Sequence, residues 1–395
     1  MQRPLALSVT LLPVLSGVLL AQVPDWTRRQ PLPTPRGLLS VGTITLHFTD
    51  SSRPTSHHLE YRPLGVQVWY PARHCAPDAR APYLSDAKLL DSMITRRYLD
   101  VPERDIRAWA RLRSHACLNA VPAPRPSLSG WPILVLSHGL GVAHAHYTSF
   151  AEELASHGYV VLAIDHPMGG FAIGPSGEVL APGVDSVPYP YPRVLPPLLR
   201  DWAIDASYVV RATARRLESS PTPRIGLSLD TSHVGMLGHS LGGAAALQGC
   251  HTEPLFVACA DMDGDTFGDV DEAGVGKPFL VLLSQPVHLS PPIDSAQRVG
   301  RERLAQMGRE RDSSWAATGA KYPDVPSFIV KIAGTGHMSF TDSPFQFPTL
   351  LQETGSTLGA DRAFRLASGR LLEFFDHFLK GEPFRLLSPG AATIQ

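Results

Sequence analysis

The segment Gly238-His239-Ser240-Leu241-Gly242 constrains the fold of this chain more than any other. It follows the apolar run His233–Leu237 and leads into the small-residue run Gly243–Leu247. This order predicts a strand, a sharp turn and a helix, the context in which a G-x-S-x-G motif forms a nucleophile elbow. Such a turn holds its serine in a strained backbone conformation at the N-terminal end of the helix. Both flanking glycines are expected, because a side chain there would collide with the neighbouring strand or helix.

Length and charge limit the classes of protein that this chain can belong to. Its 395 residues, 44% of them apolar, suit one large core with insertions. A formal net charge of −1 and the lack of a Lys or Arg stripe argue against nucleic acid as a partner. The 37 prolines cluster in 24–35, 121–132 and 182–197, which is typical of loops and linkers.

The first 21 residues have the pattern of a secretory signal peptide. One positive charge precedes an apolar run, and Ala21 is a suitable last residue before cleavage. An uncleaved membrane anchor is the less favoured alternative, because the run is short and contains Pro13. We therefore predict a secreted or periplasmic protein in which residues 22–40 form a Pro-rich linker. Transient contact with a membrane or lipid surface stays open, and the sequence does not indicate an oligomeric state.

The four cysteines suit two disulfide bonds in an exported protein. Cys75, Cys117, Cys250 and Cys259 allow three pairings, and the sequence alone does not choose among them. Joining Cys75 to Cys117 and Cys250 to Cys259 keeps both loops local. Buried free thiols are the alternative.

Hydrophobic periodicity predicts alternating strands and helices from Trp131 onward. Predicted strands are Val41–Phe48, Leu64–Tyr70, Ile133–Ser137, Val160–Ile164, Val234–Leu237, Phe256–Met262, Phe279–Leu283 and Phe328–Ile332. Predicted helices are Tyr83–Tyr98, Pro102–Leu118, Tyr147–His157, Leu198–Leu217, Leu241–Cys250, Arg298–Met307 and Ala360–Lys380. This alternation indicates an α/β fold with a doubly wound, mostly parallel sheet. The domain is predicted to span 41–386, with a helical insertion at about 72–128, a lid loop at about 167–197 and a C-terminal tail at 387–395.

A serine nucleophile requires a base, and the base requires an orienting acid. In the α/β-hydrolase arrangement these follow the serine in the order acid, then histidine, on loops after later strands. Asp263 is predicted as the acid, because it lies just beyond the next strand whereas Asp261 lies inside it. His337 is predicted as the base, because it lies in the loop after the last strand. Ser240, Asp263 and His337 are therefore the candidate catalytic triad.

Two backbone N–H groups are needed to stabilise the oxyanion that forms in such a reaction. Leu241, directly after the nucleophile, supplies one candidate. The loop His138-Gly-Leu-Gly141 follows a predicted strand and supplies the other. Gly139 and Gly141 let this backbone approach the substrate, so the N–H of Leu140 is the predicted second donor.

No metal or other cofactor is predicted. Asp261, Asp263, Asp265 and Glu272 fall at positions 1, 3, 5 and 12 of a calcium-loop pattern, but Thr266 replaces its essential glycine. His138, His144 and His146 lack a suitably spaced cysteine or acidic partner for zinc.

Several segments together resemble a known family. They are Val66-Gln-Val-Trp-Tyr-Pro71, Leu136-Ser-His-Gly-Leu-Gly141, Leu154-Ala-Ser-His-Gly-Tyr-Val160, Gly238-His-Ser-Leu-Gly-Gly243, Asp261-Met-Asp263 and Gly336-His337-Met-Ser-Phe340. Residues from about 60 to 380 resemble the platelet-activating factor acetylhydrolases of the plasma type (isoform II), a branch of the α/β-hydrolases. The Ser240-to-Asp263 spacing also resembles that of the family. The resemblance implies a metal-independent carboxylic-ester hydrolase whose better-known relatives release short or oxidised acyl chains from the sn-2 position of phospholipids.

Two departures from the family pattern bear on the substrate. Asp165-His-Pro-Met-Gly-Gly170 stands where the animal enzymes carry a charged His-Arg-Asp stretch, and Gly264-Asp265 replaces bulky aromatic residues after the acid. The expected substrate is therefore an ester or lipid of unspecified acyl length. A general carboxylesterase or polyester hydrolase is the alternative enzyme, and a non-catalytic binding protein of the same fold is the alternative from another class.

Overall fold

The structure is a computed structural model. It describes residues 31–53, 61–84, 87–95, 103–109, 111–126, 129–174, 177–180, 195–218, 226–285, 295–347, 356–385, 387 and 392–394. The predicted signal peptide, residues 22–30 of the predicted linker and residues 181–194 of the predicted lid loop lie outside this range.

A large twisted sheet runs through the molecule. Its strands are β1 (Ser40–Asp50), β2 (Arg62–Ala72), β3 (Arg80–Pro82), β4 (Arg113–Leu118), β5 (Trp131–Ser137), β6 (Val160–Asp165), β9 (Leu229–His239), β10 (Ala258–Met262), β11 (Phe279–Gln285), β12 (Ser327–Ala333) and β13 (Ala392–Ile394). Two further strands, β7 (Ala172–Ile173) and β8 (Val179–Leu180), form a separate small hairpin. The strand order is β13-β12-β11-β10-β9-β5-β6-β2-β1-β4-β3. In this spatial order, every neighbouring pair from β13 through β9 and β5 to β6 is parallel. Strand β2 is antiparallel to both of its neighbours, β6 and β1.

Helices cover both faces of this sheet. They are α1 (Ala87–Thr95), α2 (Glu103–Trp109), α3 (Thr148–Ser156), α4 (Leu195–Glu218), α5 (Leu241–Thr252), α6 (Asp269–Ala273), α7 (Ser295–Ala320), α8 (Ser343–Gln346) and α9 (Ala360–Lys380), with 3₁₀ turns at Pro77–Ala79, His144–Tyr147 and His337–Phe340. Helices α3 and α9 pack on one face, and α4 and α5 pack on the other. The predicted doubly wound, mostly parallel α/β architecture is confirmed.

Strand β5 illustrates why the central strands are apolar throughout. Leu134 and Leu136 belong to one layer of the core, whereas Ile133 and Val135 belong to the other. All four side chains are fully buried. Because successive residues of a strand point to opposite faces, a strand with helices on both sides carries apolar residues at every position.

The structure corrects the prediction for the insertion at 72–128. The helix predicted over Pro102–Leu118 ends at Trp109, and Arg113–Leu118 is strand β4. This strand pairs in parallel with β1 and antiparallel with β3. Strand β4 forms at the edge of β1, because the backbone N–H and C=O groups of β1 need hydrogen-bond partners that a helix does not supply. The insertion is therefore not simply helical, since β3 and β4 extend the main sheet.

Other predicted boundaries also shift. The C-terminal tail predicted at 387–395 contains β13, which pairs with β12 at the sheet edge. The helix predicted over Arg298–Met307 extends over Ser295–Ala320 as α7, and Trp315 in its second half is fully buried. Within the predicted lid loop, β7 and β8 form their hairpin and α4 begins at Leu195.

The cysteines form two disulfide bonds. Cys75 is bonded to Cys117 on β4, and Cys250 on α5 is bonded to Cys259 on β10. The structure thus contains the pairing that keeps both loops local, and no cysteine is free. Among the described helices, none combines the length and the apolar character that crossing a membrane requires.

Candidate active site

Ser240 occupies a strained turn between β9 and α5. Its backbone has φ 56° and ψ −123°, a conformation that a residue with a side chain rarely adopts. The N–H of Ser240 donates to the carbonyl oxygen of Met262 at 2.9 Å, which fastens the turn to β10. The serine remains partly exposed, so the predicted elbow presents it at the carboxyl edge of the sheet.

The two elbow glycines allow the helix to approach the sheet closely. A Cβ atom on Gly238 would lie 2.2 Å from the carbonyl carbon of Gly242. A Cβ atom on Gly242 would lie 2.3 Å from the carbonyl oxygen of Ser137 on β5. In both cases the obstacle is backbone, so neither position accommodates a larger residue without displacing α5.

Asp263 and His337 meet at the same edge. Asp263 follows β10 with φ 60°, and His337 begins the 3₁₀ turn after β12. The distance from His337 Nδ1 to Asp263 Oδ2 is 2.8 Å. A carboxylate oxygen only accepts, so Nδ1 carries the hydrogen and Nε2 is left to act as a base. The side chain of Asp263 is 1% exposed and that of His337 is 44% exposed, so a buried acid orients an accessible base.

Two residues that the sequence analysis did not single out also bind Asp263. Ser284 donates from its N–H to Oδ1 at 2.7 Å and from its hydroxyl to Oδ2 at 2.8 Å. Arg311 on α7 donates from Nη1 to Oδ1 at 2.9 Å. Burial by itself raises the pKa of Asp263, but the hydrogen bond and charge of His337 and the charge of Arg311 outweigh it, so the pKa lies below its ordinary value. No local motif marks Arg311, which lies 48 residues along the chain from Asp263.

Asp261, the other candidate acid, has a different environment. It lies inside β10 and is fully buried, and its Oδ1 accepts a hydrogen bond from Gly264 N at 2.8 Å. Burial raises the pKa of Asp261 well above its ordinary value, which favours the neutral form of this carboxyl. Of the two carboxyls, only that of Asp263 is hydrogen-bonded to His337.

The third contact of the triad is open in this structure. Within the described residues, the hydroxyl of Ser240 makes no hydrogen bond to His337. The ring of His239, the residue before Ser240, lies 4.5 Å from the ring of His337 between centroids. In hydrolases without substrate this hydrogen bond is often long and tightens when the complex forms.

In the predicted oxyanion loop, residues 138–141, two N–H groups donate to acceptors within the protein. The N–H of Gly139 donates to the hydroxyl of Tyr147 at 3.0 Å, and that of Gly141 donates to Gly169 O at 2.7 Å. Gly141 has φ 79°, which suits glycine. Among the described residues, the N–H groups of Leu140 and Leu241 have no protein acceptor, which leaves both predicted donors available.

Behind this loop lies a second group of the same residue types, which we name the buried triad. Ser137 Oγ lies 3.0 Å from His166 Nε2, and His166 Nδ1 lies 2.9 Å from Asp205 Oδ2. Asp205 also accepts two hydrogen bonds from Arg62, at 2.5 and 2.7 Å. The three residues of the buried triad are 0% exposed. By contrast, Ser240, Asp263 and His337, which we name the edge triad, open to solvent at the serine and the histidine.

The departure from the family pattern at Asp165-His166 belongs to this interior. Asp165 accepts hydrogen bonds from His144 N at 2.9 Å and His144 Nδ1 at 2.6 Å. His166 N donates to His138 Nε2 at 3.1 Å, so the stretch supports the oxyanion loop from behind. Asp165 and His166 are both buried.

The described residues contain no cluster of three or more histidine, cysteine or acidic side chains arranged to hold a metal ion. The carboxylate of Asp263, a residue of the calcium-loop pattern, is hydrogen-bonded to His337, Ser284 and Arg311.

Comparison with known proteins gives a family model that matches part of the chain, and two relatives. The model for the family "Platelet-activating factor acetylhydrolase, isoform II" matches residues 108–169. A probable 1-alkyl-2-acetylglycerophosphocholine esterase of Arthroderma benhamiae is 29% identical over 63% of this chain and 64% of its own length. A platelet-activating factor acetylhydrolase of Canis lupus familiaris is 24% identical over 54% of this chain. The matches span less than two thirds of these relatives, with 49% of the canine protein covered.

A solved structure agrees with the fold. A ferulic acid esterase from Streptomyces cinnamoneus superposes with a TM-score of 0.66 at 26% identity, covering 92% of this chain and 97% of the esterase. This likeness confirms the predicted α/β-hydrolase fold. The family model and both relatives agree with the resemblance to the platelet-activating factor acetylhydrolases of isoform II that the sequence motifs indicate.

Proposed function

We propose that the protein is a serine carboxylic-ester hydrolase. The observation that carries this proposal is the 2.8 Å hydrogen bond between His337 and Asp263 beside the strained serine of the elbow. Strain at a non-glycine residue is costly and is found mainly where function requires it. The esterase and acetylhydrolase names of the relatives support the same reaction class.

In the proposed reaction, Ser240 attacks the ester carbonyl carbon while His337 Nε2 takes the hydroxyl proton. The N–H groups of Leu140 and Leu241 stabilise the oxyanion of the tetrahedral intermediate. His337 then gives its proton to the leaving alcohol as the carbon–oxygen bond breaks, which leaves an acyl-enzyme on Ser240. Water, deprotonated by His337, attacks the acyl carbon. The bond from this carbon to Ser240 Oγ then breaks, His337 returns the proton to the serine oxygen, and the carboxylic acid is released. Asp263 stays ionised and stabilises the imidazolium at both stages.

We infer that the substrates are short-chain acyl esters, including the sn-2 acetyl ester of a phospholipid. The name of the fungal relative, a probable 1-alkyl-2-acetylglycerophosphocholine esterase, supports this substrate. A general carboxylesterase or polyester hydrolase is the second candidate. The similarity to a ferulic acid esterase over 92% of this chain favours it, because that similarity extends across more of the fold.

A panel of esters separates the two candidates. The purified protein would be assayed on p-nitrophenyl esters of increasing chain length, methyl ferulate, a soluble polyester oligomer and a short-chain sn-2 phospholipid, each with and without EDTA. A kcat/KM for the phospholipid above that for methyl ferulate and the oligomer supports the acetylhydrolase reading. The reverse order supports the general esterase.

The same protein would be treated with a fluorophosphonate probe, with Ser240→Ala as the control. Labelling of the wild type alone supports Ser240 as the nucleophile. Failure of the wild type to react with the probe or any ester would instead favour a binding protein of the same fold. Loss of activity in EDTA would contradict metal independence.

We also propose that the protein is exported. The predicted signal peptide and the two disulfide bonds support this proposal, because disulfides persist in oxidising compartments. Fractionation of the producing cells, followed by N-terminal sequencing of the recovered protein, tests both export and cleavage after Ala21.

A further inference from the structure

His239 lies beside the nucleophile, with each ring nitrogen facing a different loop. Its Nε2 lies 3.0 Å from the carbonyl oxygen of His337. Its Nδ1 lies 2.9 Å from the hydroxyl oxygen of Tyr147. The side chain is buried, with the residue 2% exposed.

The partners determine where each hydrogen lies. A carbonyl oxygen only accepts, so Nε2 of His239 carries a hydrogen and donates it to His337 O. In a neutral ring Nδ1 then lacks a hydrogen, so the Tyr147 hydroxyl donates to it. The hydroxyl oxygen of Tyr147 in turn accepts from Gly139 N at 3.0 Å. Burial, followed by the nearby charge of His337, lowers the pKa of His239 to about 3, consistent with a neutral ring.

These three hydrogen bonds run in one direction through four segments of the chain. They begin at the oxyanion loop, pass through Tyr147 and the elbow residue His239, and end on the backbone of the catalytic base. Every donor has one acceptor, so a displacement of either loop breaks a buried hydrogen bond, which is costly. The ring contact between His239 and His337 adds packing at the same point.

We propose that His239 is a positioning residue that holds the oxyanion loop and the His337 loop in register around Ser240. This inference rests on the proposed esterase function. His239 does not touch the reacting atoms. It fixes the distance between the base and the donor at Leu140, which adjoins Gly139.

Substitutions at residue 239 can remove the two hydrogen bonds separately. His239→Asn places an amide near the position of Nδ1 and keeps an acceptor for Tyr147. His239→Gln places an amide near the position of Nε2 and keeps a donor for His337 O. His239→Phe keeps a ring but neither hydrogen bond. Tyr147→Phe removes the link to the oxyanion loop alone, and His251→Phe, on the same helix as the elbow, is the matched control.

Steady-state kinetics on p-nitrophenyl acetate test the proposal. His239→Phe is expected to lower kcat by about 10-fold to 100-fold, a smaller loss than removal of an oxyanion donor, with little change in KM. His239→Asn and His239→Gln are each expected to recover part of this loss in kcat. Tyr147→Phe is expected to lose less of the wild-type kcat than His239→Phe. A kcat for His239→Phe equal to that of the wild type would overturn the proposal. So would Asn and Gln variants that are no better than Phe.

A spectroscopic measurement keeps the proposal testable if His239→Phe fails to fold or the wild type hydrolyses no ester. With ¹⁵N-labelled histidine, NMR of the wild type is expected to show that His239 is protonated at Nε2 and unprotonated at Nδ1. The signal of His239 is assigned by its absence from the spectrum of His239→Asn. The opposite tautomer would overturn the proposal. An inactive wild type with the expected tautomer would overturn the esterase function and leave the structural link in place.

Discussion

The edge triad and the buried triad contain the same three residue types and have similar histidine-to-aspartate distances, yet they differ in exposure, in backbone strain and in whether the serine is hydrogen-bonded to the histidine. The histidine-to-aspartate distance is 2.8 Å at the edge and 2.9 Å in the interior. The edge serine has a strained backbone and is partly exposed, whereas Ser137 lies within strand β5 and is fully buried.

The two triads also differ in their neighbours. Next to the edge serine, two backbone N–H groups lack a protein acceptor within the described residues. In the buried triad Arg62 neutralises the aspartate, and the histidine is enclosed by Trp202, which stacks on it at 4.3 Å between centroids. The comparison teaches that residue types and distances are insufficient for catalysis. Access for the substrate and donors for the oxyanion distinguish a catalytic triad from a structural one.

The largest expected effect is on catalysis at the edge. Ser240→Ala removes the nucleophile and should lower kcat on p-nitrophenyl acetate by about 10⁴- to 10⁶-fold, with folding intact by circular dichroism. Ser137→Ala is the matched change in the buried triad. It should lose less than about tenfold in kcat while lowering the free energy of unfolding by about 1–3 kcal/mol. Near-wild-type turnover by Ser240→Ala would contradict the assignment of the edge serine.

The next effect is on stability in the interior. Asp205→Asn removes the carboxylate that pairs with the guanidinium of Arg62, 1% exposed, at 2.5 Å and with Arg53 at 2.6 Å, and should lower the free energy of unfolding by about 3–5 kcal/mol. Asp201→Asn is the control, because its side chain is 42% exposed and lies 3.8 Å from Arg62. That change should cost less than about 1 kcal/mol. Urea denaturation of both variants measures the difference, and equal losses would show that burial does not set it.

Acid should destabilise the interior through its buried histidines. Burial lowers the pKa of His138 and His239 to about 3 and of His146 to about 4. Below the ordinary pKa of 6.5 these histidines bind protons in the unfolded chain but stay neutral in the folded protein. The free energy of unfolding therefore falls as the pH falls. Between pH 6.5 and its pKa in the folded protein, each histidine lowers the free energy of unfolding by about 1.4 kcal/mol for each pH unit that the pH falls.

Two fully buried acids, Asp261 and Asp342, act in the opposite direction, because burial raises the pKa of each. Burial raises the pKa of Asp342 to about 7, so its contribution to stability falls as the pH rises from 3.8 toward that value. Burial also lowers the pKa of a fourth histidine, His166. The four histidines outnumber the two acids, and the free energy of unfolding should therefore be lower near pH 5 than near pH 6.5. Urea denaturation at the two pH values measures this change. A constant or higher stability at the lower pH would mean that the histidines are charged in the folded protein.

The smallest expected effect concerns Arg311, whose guanidinium is hydrogen-bonded to Asp263 of the edge triad. Arg311→Gln should raise the pKa of Asp263, because a charge that lowers it is lost. We expect a loss of about tenfold in kcat/KM, with the acid limb of its pH profile moved to higher pH. Arg309→Gln, an exposed change on the same helix, is the control. A pH profile unchanged from the wild type would exclude Arg311 as a positioning residue.

Local sequence predicted much of the fold and of the candidate site. The elbow was readable because Gly238, Ser240 and Gly242 belong to one turn, whose steric demands act between near neighbours. Asp263 and His337 are predicted from chain order, since parallel strands bring the loops at their carboxyl ends to one edge. Strand β4 was misread as part of a helix, because its pairing with β1 depends on residues far away in the chain.

The sequence by itself determined the elbow, the alternation of strands and helices, and the residue types available at the carboxyl edge. These follow from steric and hydrophobic patterns between residues close in the chain. Only the tertiary structure decided which histidine pairs with which carboxylate, and that Arg311, Ser284 and His239 surround the edge triad. It also decided that a second serine, histidine and aspartate lie buried. Those contacts join distant segments, and their hydrogen bonds depend on distances and directions that no local pattern specifies.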